Sequence, residues 1–136
     1  MYETFDHTAD VGMRVSAPDL PSLFAEAAKG LLALLVEDVD SVEPKQELSI
    51  RLEEADLEYL LFDWLRELLY LYDARQFLVS DCDVTIEAGI LQAKIRGEPS
   101  DPNRHRLAHE VKAITSHGLI LRKSTNGYEA EYIVDI

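Results

Sequence analysis

The clearest pattern lies at the end of the chain, where Tyr128, Ala130, Tyr132 and Val134 alternate with Glu129, Glu131, Ile133 and Asp135. A period of two marks a strand with one buried face. Met13, Val15 and Ala17 against Arg14 and Ser16 predict a strand over 12–17, and Met1 to Asp6 reads as a short strand before it. Leu48, Ile50 and Leu52 predict another. Val84 and Ile86 predict a strand that turns at Ala88-Gly89 and returns through Leu91, Ala93 and Ile95. Gly97 to His105, with Pro99, Pro102 and Asn103, reads as a loop. Leu107 to Thr115 and Leu119 to Lys123 read as two further strands, and Thr125-Asn126-Gly127 as a type I′ turn into the last one.

Two stretches keep a helical period instead. Asp19 is a natural N-cap for a helix running to about Val36, with Pro21 in its first turn and a Leu-rich stripe behind it. A second helix is predicted from about Asp56 to Ala74, with Leu57, Leu60, Leu61, Trp64, Leu65, Leu68 and Leu69 on one side. The order predicts an α+β fold made of two interleaved strand–helix–strand–strand modules. Residues about 45–97 form one unit inserted in the other, within a single domain over 1–136. Each antiparallel sheet is expected to lie under a Leu-rich helix.

Size and composition fit one domain with a core of its own, since the chain has 136 residues and is 47% hydrophobic. Cys82 is the lone cysteine, so no disulfide framework exists. A free thiol without a secretory leader points to the cytoplasm. No apolar run is long enough for a membrane span, so no membrane partner is expected. The net charge of −13 excludes attraction of the whole surface to nucleic acid phosphates. That charge is uneven. Residues 1–93 carry 6 lysines and arginines against 20 carboxylates, and residues 94–136 carry 7 against 6. The acidic part includes Glu53, Glu54, Asp56, Glu58, Asp63 and Glu67; it reads as a solvated surface or as a face for a basic partner or cations. A small basic cluster, Lys94, Arg96, Arg104 and Arg106, surrounds the irregular segment.

Three constellations could carry chemistry. Asp6-His7-Thr8-Ala9-Asp10 packs two carboxylates and an imidazole into one corner, although such segments are often turn chemistry alone. His109 to His117 places Glu110, Lys112, Ile114 and Ser116 on one face of a strand, where Glu110 and Lys112 also fit a plain surface ion pair. Asp135 beside the carboxylate of Ile136 forms the third. Adjacent carboxylates repel unless a cation neutralises them, and a hard divalent cation gathers oxygens from several segments. With one further Asp they would make a site, and a solvated end is the alternative. Cys82 reads as core, the glycines form no phosphate cradle, and His105 and His109 lack zinc-ligand geometry outside a helix.

Phe5-Asp6-His7-Thr8-Ala9-Asp10-Val11-Gly12, Val111-Lys112-Ala113-Ile114-Thr115 and Ile133-Val134-Asp135-Ile136 together resemble the archease family, in order and at both ends of the chain. The resemblance implies an accessory protein, not an enzyme, that activates the RtcB-type tRNA-splicing RNA ligase. It would promote guanylylation and multiple turnover of that GTP- and metal-dependent ligase, and broaden its nucleotide use. It further implies a divalent cation, calcium ahead of magnesium, held by Asp10, Asp135 and the Ile136 carboxylate. Lys112 corresponds to the family's functional lysine; His7, Glu110 and His117 complete the candidate surface. The implied partner is the ligase, with tRNA reached only indirectly. The alternative is a general chaperone-like module for RNA-processing enzymes such as tRNA methyltransferases, with a structural metal.

Overall fold

Each helix begins where a carboxylate takes up amides that the first turn leaves without partners. Asp19 accepts from the Ser22 N–H at 2.8 Å and opens α1, Leu20–Leu35. Asp56 accepts from the Glu58 and Tyr59 N–H groups at 2.9 and 3.2 Å and opens α2, Leu57–Arg75. Gln76, in the left-handed region at φ 57°, stops α2 and returns its N–H to the Tyr72 carbonyl. The computed structural model describes residues 1–7 and 10–136, apart from the side chains of Asp6 and His7.

Seven strands are described: β1 (Tyr2–His7), β2 (Asp10–Ala17), β3 (Gln46–Glu53), β4 (Phe77–Glu87), β5 (Ile90–Pro99), β6 (Ala113–Ser124) and β7 (Gly127–Asp135). They form two antiparallel sheets, β1-β2-β7-β6 and β3-β5-β4. The architecture is α+β, as the pattern predicts. The three-stranded sheet comes wholly from residues 46–99, and the four-stranded sheet joins the two ends of the chain.

The helices do not divide the sheets between them. α1 contacts β2 and β7 of one sheet and β4 of the other, and α2 contacts β6, β3 and β4. Two buried aromatic residues tie α1 in place while satisfying their own polar atoms. Trp64 of α2 donates its indole N–H to the Phe24 carbonyl, and Tyr132 of β7 donates its hydroxyl to the Ala27 carbonyl, both at 2.9 Å.

Four local readings are corrected. The 107–115 strand forms only from Ala113 onward. Before it, the Ala108 and His109 N–H groups donate to the Leu35 and Leu34 carbonyls at the end of α1, leaving a single bridge between Leu107 and Val36. Those α1 carbonyls lack partners within their own helix, so they take the amides a strand would have used. The 119–123 strand is not separate: it continues β6 through an irregularity between Thr115 and Ile120 that contains Gly118 at φ 77°. The type I′ geometry belongs to the other hairpin, where Ala88 and Gly89 have φ 51° and 77°. Thr125 and Asn126 connect the paired residues Ser124 and Gly127 without positive φ, and Gly127 has φ 150°. The predicted loop at 97 also starts late, because β5 runs on to Pro99 opposite Phe77.

A carboxylate cluster beside an exposed lysine

Register builds the candidate site. β2 begins at Asp10, earlier than its alternation suggests, because Asp10 and Val11 pair with Asp135 and Val134 of β7. Directly opposed residues of an antiparallel pair lie about 4.5–5.5 Å apart at Cα and project from the same face. Val11, Met13, Val134 and Tyr132 pack with the core, so Asp10 and Asp135 take the outer face, both half-buried. On the other flank Asp135 is opposite Ala113 of β6, and the Lys112 N–H donates to the Asp135 carbonyl at 2.8 Å. Ile136 follows, half-buried.

Asp10, Asp135, Ile136 and Lys112 thus converge at one end of the four-stranded sheet. His7 is opposite Asp10 in register, but its side chain lies outside the described residues, as do Thr8 and Ala9 of the opening motif. Glu110 is exposed in the segment before β6, and with no strand there the shared face expected for Glu110 and Lys112 does not form. His117 is exposed within the β6 irregularity, its N–H held by the Thr115 hydroxyl at 3.1 Å.

The outer face next to the pair is shaped by one small apolar patch. Ile133 is buried although it points away from the main core, and the Phe5 ring lies over Gly12, its cross-strand neighbour. Arg14 stacks on Phe5 at 5.0 Å and bonds Glu3 and Glu131, each at 2.8 Å. This layer stiffens β1, β2 and β7 where they carry the carboxylates.

The donor chemistry fits a hard divalent cation: Asp10 and Asp135 offer carboxylate oxygens from adjacent strands. Among the described residues no three His, Cys, Asp or Glu side chains gather at metal-binding spacing.

The basic cluster is not an open patch. Arg96 bonds Asp81 at 2.6 Å and Asp83 at 3.0 Å and reaches Glu47 at 3.3 Å, bridging all three strands of its sheet. Arg104 pairs with Glu98, and Arg106 lies 3.6 Å from Glu37. Burial, with Asp81 and Asp83 adding to it, pushes the Cys82 thiol up to about 11, which disfavours the thiolate.

A buried polar lock went unseen in the sequence. Glu98 and His105 are each 3% exposed. The Asp101 N–H donates to His105 Nδ1 at 2.8 Å, which leaves the proton on Nε2, 3.2 Å from Glu98 Oε2. The Glu43 N–H donates to the same oxygen at 2.7 Å, and Arg104 to the other. Burial alone would raise the Glu98 carboxyl. The Glu43, Arg104 and His105 hydrogen bonds outweigh it and hold the carboxyl at about 2, below its ordinary 4.5. A depressed carboxyl stabilises the fold fully above its unfolded value and loses that contribution as pH falls through the folded one. Urea midpoints followed from pH 4.5 down to about 2 should therefore fall steeply, and Glu98→Gln should flatten that slope while lowering stability at neutral pH.

A family model, the Archease protein family, matches residues 2–136. The chain belongs to the archease family. Archeases of Methanopyrus kandleri and Pyrococcus furiosus are 40% and 38% identical to it, over 99% of this chain and 99% and 98% of theirs. The solution structure of protein 1598 from Methanobacterium thermoautotrophicum superposes with a TM-score of 0.84 at 30% identity, over 99% of this chain and 98% of that one. The crystal structure of a Thermotoga maritima archease, described as a possible chaperone, shares the fold with a TM-score of 0.66 at 16% identity, over 100% of this chain and 98% of its own. Of the three segments that carry the resemblance, Asp10 to Gly12 lie in β2, Ala113 to Thr115 in β6 and Ile133 to Asp135 in β7. None of the described helices is long and apolar enough to cross a membrane.

Proposed function

We propose that this chain activates an RtcB-type RNA ligase in the cytoplasm, promoting its guanylylation and multiple turnover and broadening its nucleotide use. The observation that carries the reading is the register that sets Asp10 opposite Asp135, with Lys112 joined to Asp135 through its amide, in an archease chain.

In this reading Asp10, Asp135 and the Ile136 carboxylate hold a divalent cation, calcium ahead of magnesium. The cation would neutralise the carboxylates and fix the strand ends. Asp10 and Asp135 are positioned by the sheet, so little ordering is needed when the site meets a partner. Lys112, exposed beside them, offers a positive group to the anionic centre of the ligase–nucleotide complex. A net charge of −13 disfavours direct contact with tRNA and favours a basic protein surface.

The test counts RNA molecules joined per ligase molecule. With this chain added, the count should rise well beyond one turnover; without it, ligation should stall near stoichiometric product. Equal counts would refute the reading. Restored activity of a tRNA methyltransferase in their place would favour the general chaperone-like alternative.

A further inference from the structure

The outward face of α2 has aromatic side chains where a solvated helix face would have none. Tyr59 is 59% exposed and Tyr70 62% exposed, the most exposed large hydrophobic groups of the described residues after Met1. Their spacing of eleven residues returns to nearly the same face, about 16 Å further along the helix axis. Between them Phe62 is half-buried and Arg66 stacks over its ring at 5.2 Å. The helix therefore carries two stripes: a leucine stripe in the core and an aromatic stripe facing out.

A groove opens at the Tyr59 end of this stripe, and at its other end Tyr70, with Asp63, Arg66 and Glu67, borders a second hollow against Leu52 of β3. Tyr59 and Phe62 form one wall of the groove, and Ser116 and Leu119 of the β6 irregularity form the other. Glu58 closes the gap between helix and strand by accepting from the Leu121 N–H at 3.0 Å. Ser116 lies three residues from Ala113, the cross-strand partner of Asp135, or about 10 Å along a strand. One strand thus carries both the groove and the flank of the carboxylate site.

Charge selects the occupant. Between residues 54 and 74 the chain has 6 carboxylates and a single arginine. Asp63 and Glu67 on α2 form no ion pair among the described residues. A second copy would set like charges against each other, and RNA would be repelled. A basic protein surface gains both ways, since lysine and arginine pair with the carboxylates and stack on tyrosine faces.

We infer that the aromatic face of α2, with its groove against β6, is the docking surface for a basic face of the partner protein, with Tyr59 and Tyr70 as the anchors. The inference rests on the ligase reading above and adds where the ligase docks. Both tyrosines are exposed, so their replacement should leave the fold intact.

Calorimetric titration into the purified RtcB-type ligase tests this with Tyr59→Ser/Tyr70→Ser and, separately, Asp63→Lys/Glu67→Lys. The tyrosine pair should weaken binding about tenfold or more, with melting temperature unchanged. The lysine pair should also weaken it and reduce its salt dependence. Wild-type binding matched by both variants would overturn the surface and leave the ligase reading standing. A wild-type chain that neither binds nor stimulates the ligase would overturn both. Loss of self-association or of RNA binding, in place of ligase binding, would overturn the assignment of the occupant.

Discussion

Asp135→Ala should yield a folded protein that no longer stimulates the ligase. The backbone at Asp135 is held by pairing with Asp10 and Ala113 and by the Lys112 amide, and none of these bonds uses the side chain. Removing the carboxylate also relieves its repulsion with Asp10 directly across the ladder, which offsets part of any stability lost with a cation. The melting temperature should therefore move little, while stimulation falls to the level of ligase alone. Lys112→Ala should behave alike, since an exposed lysine contributes under about 1 kcal/mol to stability. Melting curves recorded beside turnover counts separate loss of function from loss of fold. Stimulation reduced only in proportion to unfolded protein would make the carboxylates structural.

Gly97→Ala should produce the largest loss of stability. A Cβ at Gly97 would sit 1.8 Å from the Leu78 carbonyl oxygen and 2.8 Å from its carbon, inside the β4–β5 ladder. Gly97 is opposite Val79 where the register shifts between Val79 and Asp81, so the strands come close at that point. Backbone cannot move aside as a side chain can. Strand separation there would also pull on Glu98, the next residue, and loosen its lock. The expected cost is about 3 kcal/mol, read as a fall in melting temperature of roughly 10 °C. Gly12→Ala is the contrasting control. The atoms nearest its Cβ belong to the Phe5 ring, and a side chain can swing away where backbone cannot, so the loss should be smaller. Equal losses for the two substitutions would show that the β4–β5 approach is not the constraint.

What the sequence disclosed was local. Asp19 was legible as a cap because a cap involves only the following turn, and Asp56 was legible as the start of the second helix. The alternation from Tyr128 to Asp135 was legible because Ala130, Tyr132 and Val134 enter the core while Glu129 and Glu131 do not. The segment before Ala113 misled because its amides bond the end of α1, a partner far away along the chain. Glu98 and His105 gave no signal, since a buried carboxylate in a proline-flanked stretch looks like any exposed one. Their burial depends on Glu43, Asp101 and Arg104 closing around them. Arg96, Arg104 and Arg106 looked like a cluster along the chain, but carboxylates from other segments neutralise each. The approach of Asp10 to Asp135 followed from the resemblance at the two ends. Their direct opposition is a property of the β2–β7 register, which no single segment encodes.

Transfer of labelled GMP from GTP to the ligase is the most direct measurement of the central claim. The ligase is incubated with wild-type chain, with Asp135→Ala of confirmed fold, or alone, in the presence of divalent cation. The wild-type chain should raise the guanylylated fraction, and Asp135→Ala should leave it at the level of ligase alone. A folded Asp135→Ala protein that raises guanylylation as far as the wild type does would contradict the claim that this carboxylate pair forms the activating surface.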